Sequence, residues 1–237
     1  MPLALVILAA GAGRRLGRDK ALVPLSEDER SSPLERLLAA GRSLTDRPPL
    51  VVTGAHHDAV AEALAKEGSL GAELGVEVVH NERWDEGRTG SVQQAVAARP
   101  SCDLCLAPVD VPLVPAVVFD ALSAAWDDAR RPARGWLAPC VRDARAGPVA
   151  PRGAKRRKGK ASHATPPRFG HPIVMGWQLA RRVERLSADA PLRDLREHAE
   201  RLLAVEVDTE AILDDLDTPL DLQRLRERLG DRSRGQG

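Results

Sequence analysis

Residues 3–25 read LALVILAAGAGRRLGRDKALVPL, an apolar run that gives way to three glycines, three arginines and one lysine. An apolar run of this length makes a buried strand, and glycines directly behind it let the backbone approach a ligand closely. Gly11, Gly13 and Gly17 nearly satisfy the dinucleotide fingerprint G-x-G-x-x-G, but the last interval is one residue too long. Arg14 and Arg15 also stand where a close-packed strand-to-helix turn would begin, and DKALVPL follows in place of a continuing helix. The turn suits a polyphosphate better: its amides donate to phosphate oxygens while an arginine and Lys20 neutralise the β and γ groups. The competing reading of Arg14, Arg15 and Lys20 is a solvated charged turn.

Outward from that turn, 237 residues suffice for one large α/β domain or two small ones. The formal net charge of +1 implies no general attraction to nucleic acid or membrane. No apolar run approaches the roughly 20 residues that span a bilayer, and the run after Met1 lacks the order of a signal peptide. A soluble, cytoplasmic protein is expected. Cys102, Cys105 and Cys140 are too few for a disulfide framework. Cys102 and Cys105 form one C-x-x-C, but a strand would send them to opposite faces and no second ligand pair matches, so they read as core residues.

Short β-branched runs recur at 3–8, 50–53, 76–79, 104–109, 136–141 and 204–207. Helical stretches separate most of them, at 33–44, 58–67, 90–98 and 115–129, and further helices are expected at 177–186, 191–203 and 218–229. Gly230 reads as the stop of the last, leaving 230–237 as a frayed tail. This alternation predicts a single α/β domain over 1–229, a Rossmann-like three-layer sandwich around a mostly parallel central sheet. Ligands then collect at the carboxyl ends of the strands, where the glycine turn, Asn81 and Asp110 fall. Residues 150–170 are basic and rich in Gly and Pro, and read as a flexible surface loop that either stays solvated or contacts an anionic partner.

The segment LAAGAGRRLGRDK resembles the signature L-A-[AG]-G-x-[SG]-x-R-[ML]-G-x-x-K of the MobA-like NTP-transferase family, which includes molybdenum cofactor cytidylyl- and guanylyltransferases. On that signature the arginine is Arg15 and the lysine Lys20. NERWDEGRTGSVQQAV resembles the family's N-x-x-[WY]-x-x-G-x-x-x-S, APVDVPLV its G-D-x-P, FGHPIVM its R-G-H-P-[VI] and DDLDTPLDL its D-[IV]-D-T-P-[ED]-D-L. The resemblance runs from Leu8 to Leu222. It implies a fold of the nucleotide-diphospho-sugar transferase type and Mg²⁺-dependent transfer of a nucleoside monophosphate from an NTP to a phosphorylated small acceptor, with release of pyrophosphate. By the same resemblance Leu8, Ala9, Ala10, Gly11, Gly13, Arg15, Lys20, Asn81, Gly87 and Ser91 bind the nucleotide, and Gly170, His171 and Pro172 the acceptor.

The chemistry of such a transfer asks for a hard cation, positive charge at the leaving group and a positioned nucleophile. Asp110, ending an apolar strand, suits Mg²⁺, with helix capping as its alternative role. Asp215 and Asp217 lie two apart, which in extended chain puts both carboxylates on one side. Either could make a second metal contact, although Asp217-Thr218-Pro219 also reads as a helix start. Arg15, Lys20 and Asp110 are thus the candidate catalytic residues, and the acceptor's own phosphate the nucleophile. Ala10 stands where guanylyl members tend to carry Gly, and its methyl favours CTP over GTP. A sugar phosphate is the alternative acceptor; a dinucleotide-dependent oxidoreductase and a non-catalytic nucleotide-binding protein are the rivals from other classes. Val109 and Phe169 depart from the family pattern, the first narrowing the space beside the metal, the second removing an acceptor-side cation. His56 and His57 match nothing and read as surface residues.

Overall fold

In the computed structural model, residues 1–26, 32–45, 47–142 and 166–234 are described. Strand β1 (Leu3–Ala9) sorts the core by alternation, as a two-sided strand must. Leu3, Leu5, Ile7 and Ala9 join one apolar cluster, Ala4 and Val6 another. The first cluster holds the inner faces of α1 (Pro33–Gly41), α2 (His57–Ala65) and α5 (Ala116–Asp128). The second holds α4 (Arg88–Ala98), α6 (Trp177–Ala180) and the 3-10 segment Arg181–Arg185 that continues it. Helices therefore cover both faces of the sheet in three layers.

Strands β1, β2 (Leu50–Thr53), β3 (Glu77–His80) and β4 (Asp103–Pro108) pair in parallel, with α3 (Leu70–Glu73) placed before β3. Two short strands, β6 (Arg168–Phe169) and β7 (Ile173–Met175), run antiparallel to β5 (Gly135–Val141), and β7 also to β4. Strand β8 (Arg201–Glu206) pairs in parallel with the free side of β5. The sheet order is β3-β2-β1-β4-β7-β5-β6, with β8 beside β5.

Two expectations are corrected, and a third falls largely outside the described residues. The helix expected over 191–203 is a 3-10 segment, Leu192–His198, and β8 begins at Arg201. Helix α7 (Pro219–Arg234) continues through Gly230, so that glycine does not end it. The expected loop at 150–170 falls mostly outside the described residues, which resume at 166, and residues 235–237 of the expected tail are also outside them.

Helix α7 is held by a third cluster in which Leu222 and Leu225 pack on Leu16, Leu25, Leu113 and Leu216. Each such burial contributes roughly 1.5–3 kcal/mol. It fastens the C-terminal segment against the glycine turn. Cys102 and Cys105 belong to the cores on opposite faces, and burial pushes the Cys105 thiol upward. Among the described residues, no helix is long and apolar enough to cross a membrane.

A polar anchor sits at the opposite end of β4. Asp103 is fully buried, accepting from Trp126 Nε1 at 3.0 Å and from the Trp177 backbone N–H at 2.9 Å. It joins helices on both faces to the sheet. Burial raises its pKa despite these bonds. Trp126→Phe keeps a ring but strands one carboxylate oxygen, so urea unfolding should show a loss of about 1–3 kcal/mol; no loss would show that the bond is dispensable.

Candidate active site

The parallel pairing of β1 with β4 aligns Leu8 with Pro108, so the glycine turn and Asp110 leave the sheet side by side. Gly13 has φ +62°, and a Cβ there would lie 2.1 Å from the Arg18 carbonyl oxygen. Its own carbonyl accepts from the N–H groups of Leu16 and Gly17 at 3.0 and 2.9 Å. The turn is thereby tightly wound, and it ends with Lys20 returning toward the strand ends.

At Lys20 the C-terminal segment closes in. Asp217 accepts from Lys20 Nζ at 2.5 Å through Oδ1 and from Arg15 at 2.7 Å through Oδ2. Lys20 is 15% exposed and Arg15 71%, so the lysine is the buried partner of the two. The hydrogen bond from Lys20, with the charge of Arg15, holds the Asp217 carboxyl below its ordinary range. Thr218 and Asp221 cap α7 reciprocally: Asp221 Oδ2 accepts the Thr218 N–H at 2.8 Å, and Thr218 Oγ1 the Asp221 N–H at 3.2 Å. Capping therefore falls to Thr218, leaving the Asp217 carboxylate to the cations.

Asp110 likewise caps no helix, since Pro115 precedes α5 without a side-chain cap. Its Oδ2 accepts from Arg88 at 3.0 Å, and its carbonyl accepts the Leu216 N–H at 2.7 Å. That backbone bond carries Asp215 and Asp217 to the end of β4. Burial, then the carboxylates of Asp110 and Asp217, raise the pKa of Asp215. The three carboxylates share one cavity of about 470 Å³ with Arg15, Lys20 and Arg88. Among the described residues, no three carboxylate, imidazole or thiol groups already converge as a metal cage. The donors are hard oxygens in mutual repulsion, and that chemistry fits a divalent cation.

A second cavity, about 280 Å³, lies over the glycine turn. Leu8, Ala10, Gly11, Gly13, Arg15, Lys20, Gly87, Ser91, Asp110 and Asp217 all line it, together with Arg14, Trp84, Arg88 and Val109. Ala9 instead joins the core, and Asn81 stands behind the wall, donating to Ser91 Oγ at 3.1 Å. Gly87 has φ +146°, and a Cβ there would meet the Ala188 carbonyl oxygen at 2.2 Å. Helix α4 starts after it with no side-chain cap, leaving its first amides to the cavity.

Beyond Pro108 the space opens into a third cavity, about 740 Å³. Gly170 and His171 line it, while Pro172 is buried outside its wall. Gly170 is fixed by its N–H to Pro139 and His171 by its N–H to Ile212, both at 3.0 Å. Burial lowers the His171 pKa, and its Nδ1 is buried without a protein partner. Phe169 takes the place of a cation, as the sequence says, but Arg196 lies 5.9 Å over its ring and Arg193 shares the wall. Positive charge thus reaches this cavity from another segment.

Several side chains here escape a reading by sequence motif. Arg88 occupies an unspecified position in its segment, and Arg14 lies 5.9 Å over the Trp84 ring. His56 and His57 are not free surface groups: His56 Nε2 lies 3.2 Å from the Ala12 carbonyl, and His57 stacks on His80 with ring centres 4.2 Å apart. Only the adjacency of the β2–α2 turn to the glycine turn reveals the first of these.

This geometry, a glycine turn at the carboxyl end of a parallel sheet with cations and carboxylates converging on it, defines a nucleotide-handling α/β protein of the nucleotide-diphospho-sugar transferase fold. Residues 5–204 match the MobA-like NTP transferase domain; the chain belongs to that family and is a nucleotidyltransferase. No curated protein sequence matches the chain closely enough to count as a relative. Among solved structures the chain is similar to Rv0371c from Mycobacterium tuberculosis H37Rv, with TM-score 0.63 and 23% identity over 96% of this chain and 99% of that one. It is similar to a nucleotidyl transferase from Methanothermobacter thermautotrophicus, with TM-score 0.65 and 22% identity over 96% and 97%. Molybdopterin-guanine dinucleotide biosynthesis protein A from Archaeoglobus fulgidus gives TM-score 0.61 and 17% identity over 96% and 99%. A manganese complex of Rv0371c aligns with TM-score 0.61 and 20% identity over the same shares, 96% and 99%. At these identities the likeness establishes the fold.

The charge arrangement predicts a pH signature. Because the folded pKa of Asp217 is depressed, its contribution to stability is present above the ordinary value of 3.8 and is lost as pH falls through the depressed value. The stability gap between the parent and Asp217→Asn, followed by urea unfolding, should therefore shrink as pH falls from 3.8 through the depressed value. A gap independent of pH would remove the ion pair as its cause.

Proposed function

We propose that this nucleotidyltransferase moves CMP from CTP onto the phosphate of a small acceptor of the molybdopterin type, releasing pyrophosphate, with Mg²⁺ as the metal. The observation that carries the reading is the contact of the cavity over the glycine turn with both the carboxylate cluster and the larger cavity beyond Pro108. A triphosphate, a metal and an acceptor then meet at one point.

In this reading Lys20 and Arg15 hold the departing pyrophosphate. The Asp217 carboxylate now engages both cations, as phosphate oxygens would in the complex. Asp110, with Asp215 or Asp217, would hold the metal, which supplies charge neutralisation across the phosphates when bound. The amides of the glycine turn and the open start of α4 orient the nucleotide, and Ser91, braced by Asn81, completes that wall. No protein nucleophile is needed, because the acceptor phosphate attacks.

The pyrimidine preference rests on Ala10, which lines the smaller cavity. The acceptor class rests on the larger one. Trp136, Phe169, Leu106 and Ile173 give it apolar and aromatic walls, with Arg193 and Arg196 as cations and Asp189 as a carboxylate. A flat heterocycle bearing phosphate matches such walls better than a polyhydroxylated sugar, which asks for more hydrogen-bonding groups.

Pyrophosphate release should be measured with each common NTP, Mg²⁺ and a panel of molybdopterin and sugar-phosphate acceptors. CTP with a molybdopterin acceptor should give the highest kcat/KM. Lys20→Ala and Asp110→Asn should each lower it by about a hundredfold or more. Full activity in Lys20→Ala overturns the role given to that lysine. Ala10→Gly should narrow the preference for CTP over GTP by about tenfold. An unchanged ratio would place nucleotide selection elsewhere.

A further inference from the structure

Arg88 has no assigned part in the reaction, yet among the described residues it alone lines all three cavities. It is the first residue of α4, where the positive end of the helix dipole disfavours a cation by about 0.3–1 kcal/mol. Its side chain is 59% exposed and, among the described residues, bonds only to Asp110, itself 16% exposed. A long, exposed cation at an electrostatically poor position, paired with a carboxylate of the strand-end cluster, is not there for the helix.

We propose that Arg88 is the acceptor-phosphate residue of this enzyme, and that it shields Asp110 until a metal replaces it. In the free protein its guanidinium balances the Asp110 carboxylate within a cluster that also holds Asp215 and Asp217. A metal held by Asp110 would compete with Arg88 for the carboxylate, and its binding would free the guanidinium. Arg88 then stands at the mouth shared by the nucleotide and acceptor cavities, beside Pro108. An arginine there pairs with the acceptor's attacking phosphate bidentately, lowers the repulsion between two approaching anions and aims the attacking oxygen. It also answers the missing cation at Phe169, which lines the same two cavities as Arg88 on the acceptor side. The acceptor half rests on the transfer reading above; the shielding of Asp110 does not.

Arg88→Met and Arg88→Lys are compared with the parent in two measurements, after circular dichroism shows the parent fold. Manganese is titrated by electron paramagnetic resonance without nucleotide. Arg88→Met should bind Mn²⁺ roughly two- to fivefold tighter, because its competitor is gone, with Arg88→Lys between it and the parent. Equal or weaker binding overturns the shielding. Steady-state transfer from CTP is then measured with a phosphorylated acceptor from the panel. Arg88→Met should raise the acceptor KM or lower kcat by about tenfold or more, leave the CTP KM within about twofold, and be partly rescued in Arg88→Lys. A CTP KM raised as much as the acceptor's, or no rescue by lysine, overturns the acceptor role. If the parent transfers to no phosphorylated acceptor, the function reading fails and the acceptor role with it, while the Mn²⁺ result still decides the shielding.

Discussion

The parallel pairing of β1 with β4 is the constraint from which the site follows. With Leu3 opposite Asp103 and Leu8 opposite Pro108, two segments almost a hundred residues apart in sequence end at the same level. The glycine turn and the Asp110 carboxylate are then neighbours by construction. A slip of β4 by one residue in this register would send its side chains to the wrong face of the sheet. Leu106 would change cores, and Asp110 would move relative to the glycine turn. The same pairing fixes the far end through Asp103, whose buried carboxylate is bonded to helices from both layers.

On that scaffold the charged groups neutralise one another in pairs. Asp217 holds Arg15 and Lys20, and Arg88 holds Asp110. The two in which an arginine is exposed, Arg15–Asp217 and Arg88–Asp110, contribute little to folding, about 0–1 kcal/mol each. In the proposed reading their value lies in being exchangeable, each group being matched to a charge of a triphosphate, a metal or a phosphorylated acceptor. Stability comes from elsewhere, from the two faces of the sheet and from the leucines that seat α7 on the glycine turn. The C-terminal helix is thus part of the site: Asp215 and Asp217 reach the strand ends because Leu216 and Leu222 are buried against Leu16 and Leu113.

Much of this was legible in the sequence because long periodic runs carry their own signal. Strands β1, β2, β3 and β4 and helices α1, α2, α4 and α5 lie near their expected places, since each buries a face whose period can be counted. Strands β6 and β7 are two and three residues long and gain their pairing from β5 and β4, so no local pattern marks them. Arg201, Leu202 and Leu203 suit a helix by propensity, but parallel pairing with β5 takes them into β8. Gly230 is open on all sides, and nothing there opposes continued helix.

The site divides along the same line. Arg15, Lys20, Asp110 and Asp217 stand in motifs whose spacing reflects a fixed backbone path, and they meet in one cavity. Arg88 stands between Gly87 and Ser91 at a position the motif leaves open, and sequence offers no reason to prefer it over Arg83 or Arg99. Those two are occupied by local tasks. Arg83 forms an ion pair with Glu86 one helical turn along the chain, and Arg99 is buried against Glu77 and the Pro48 carbonyl. Arg88 has no such tie and points to the strand ends, where its partner is the carboxylate most in demand. What sets Arg88 apart from Arg83 and Arg99 is the identity of that partner, Asp110, which only the folded chain displays.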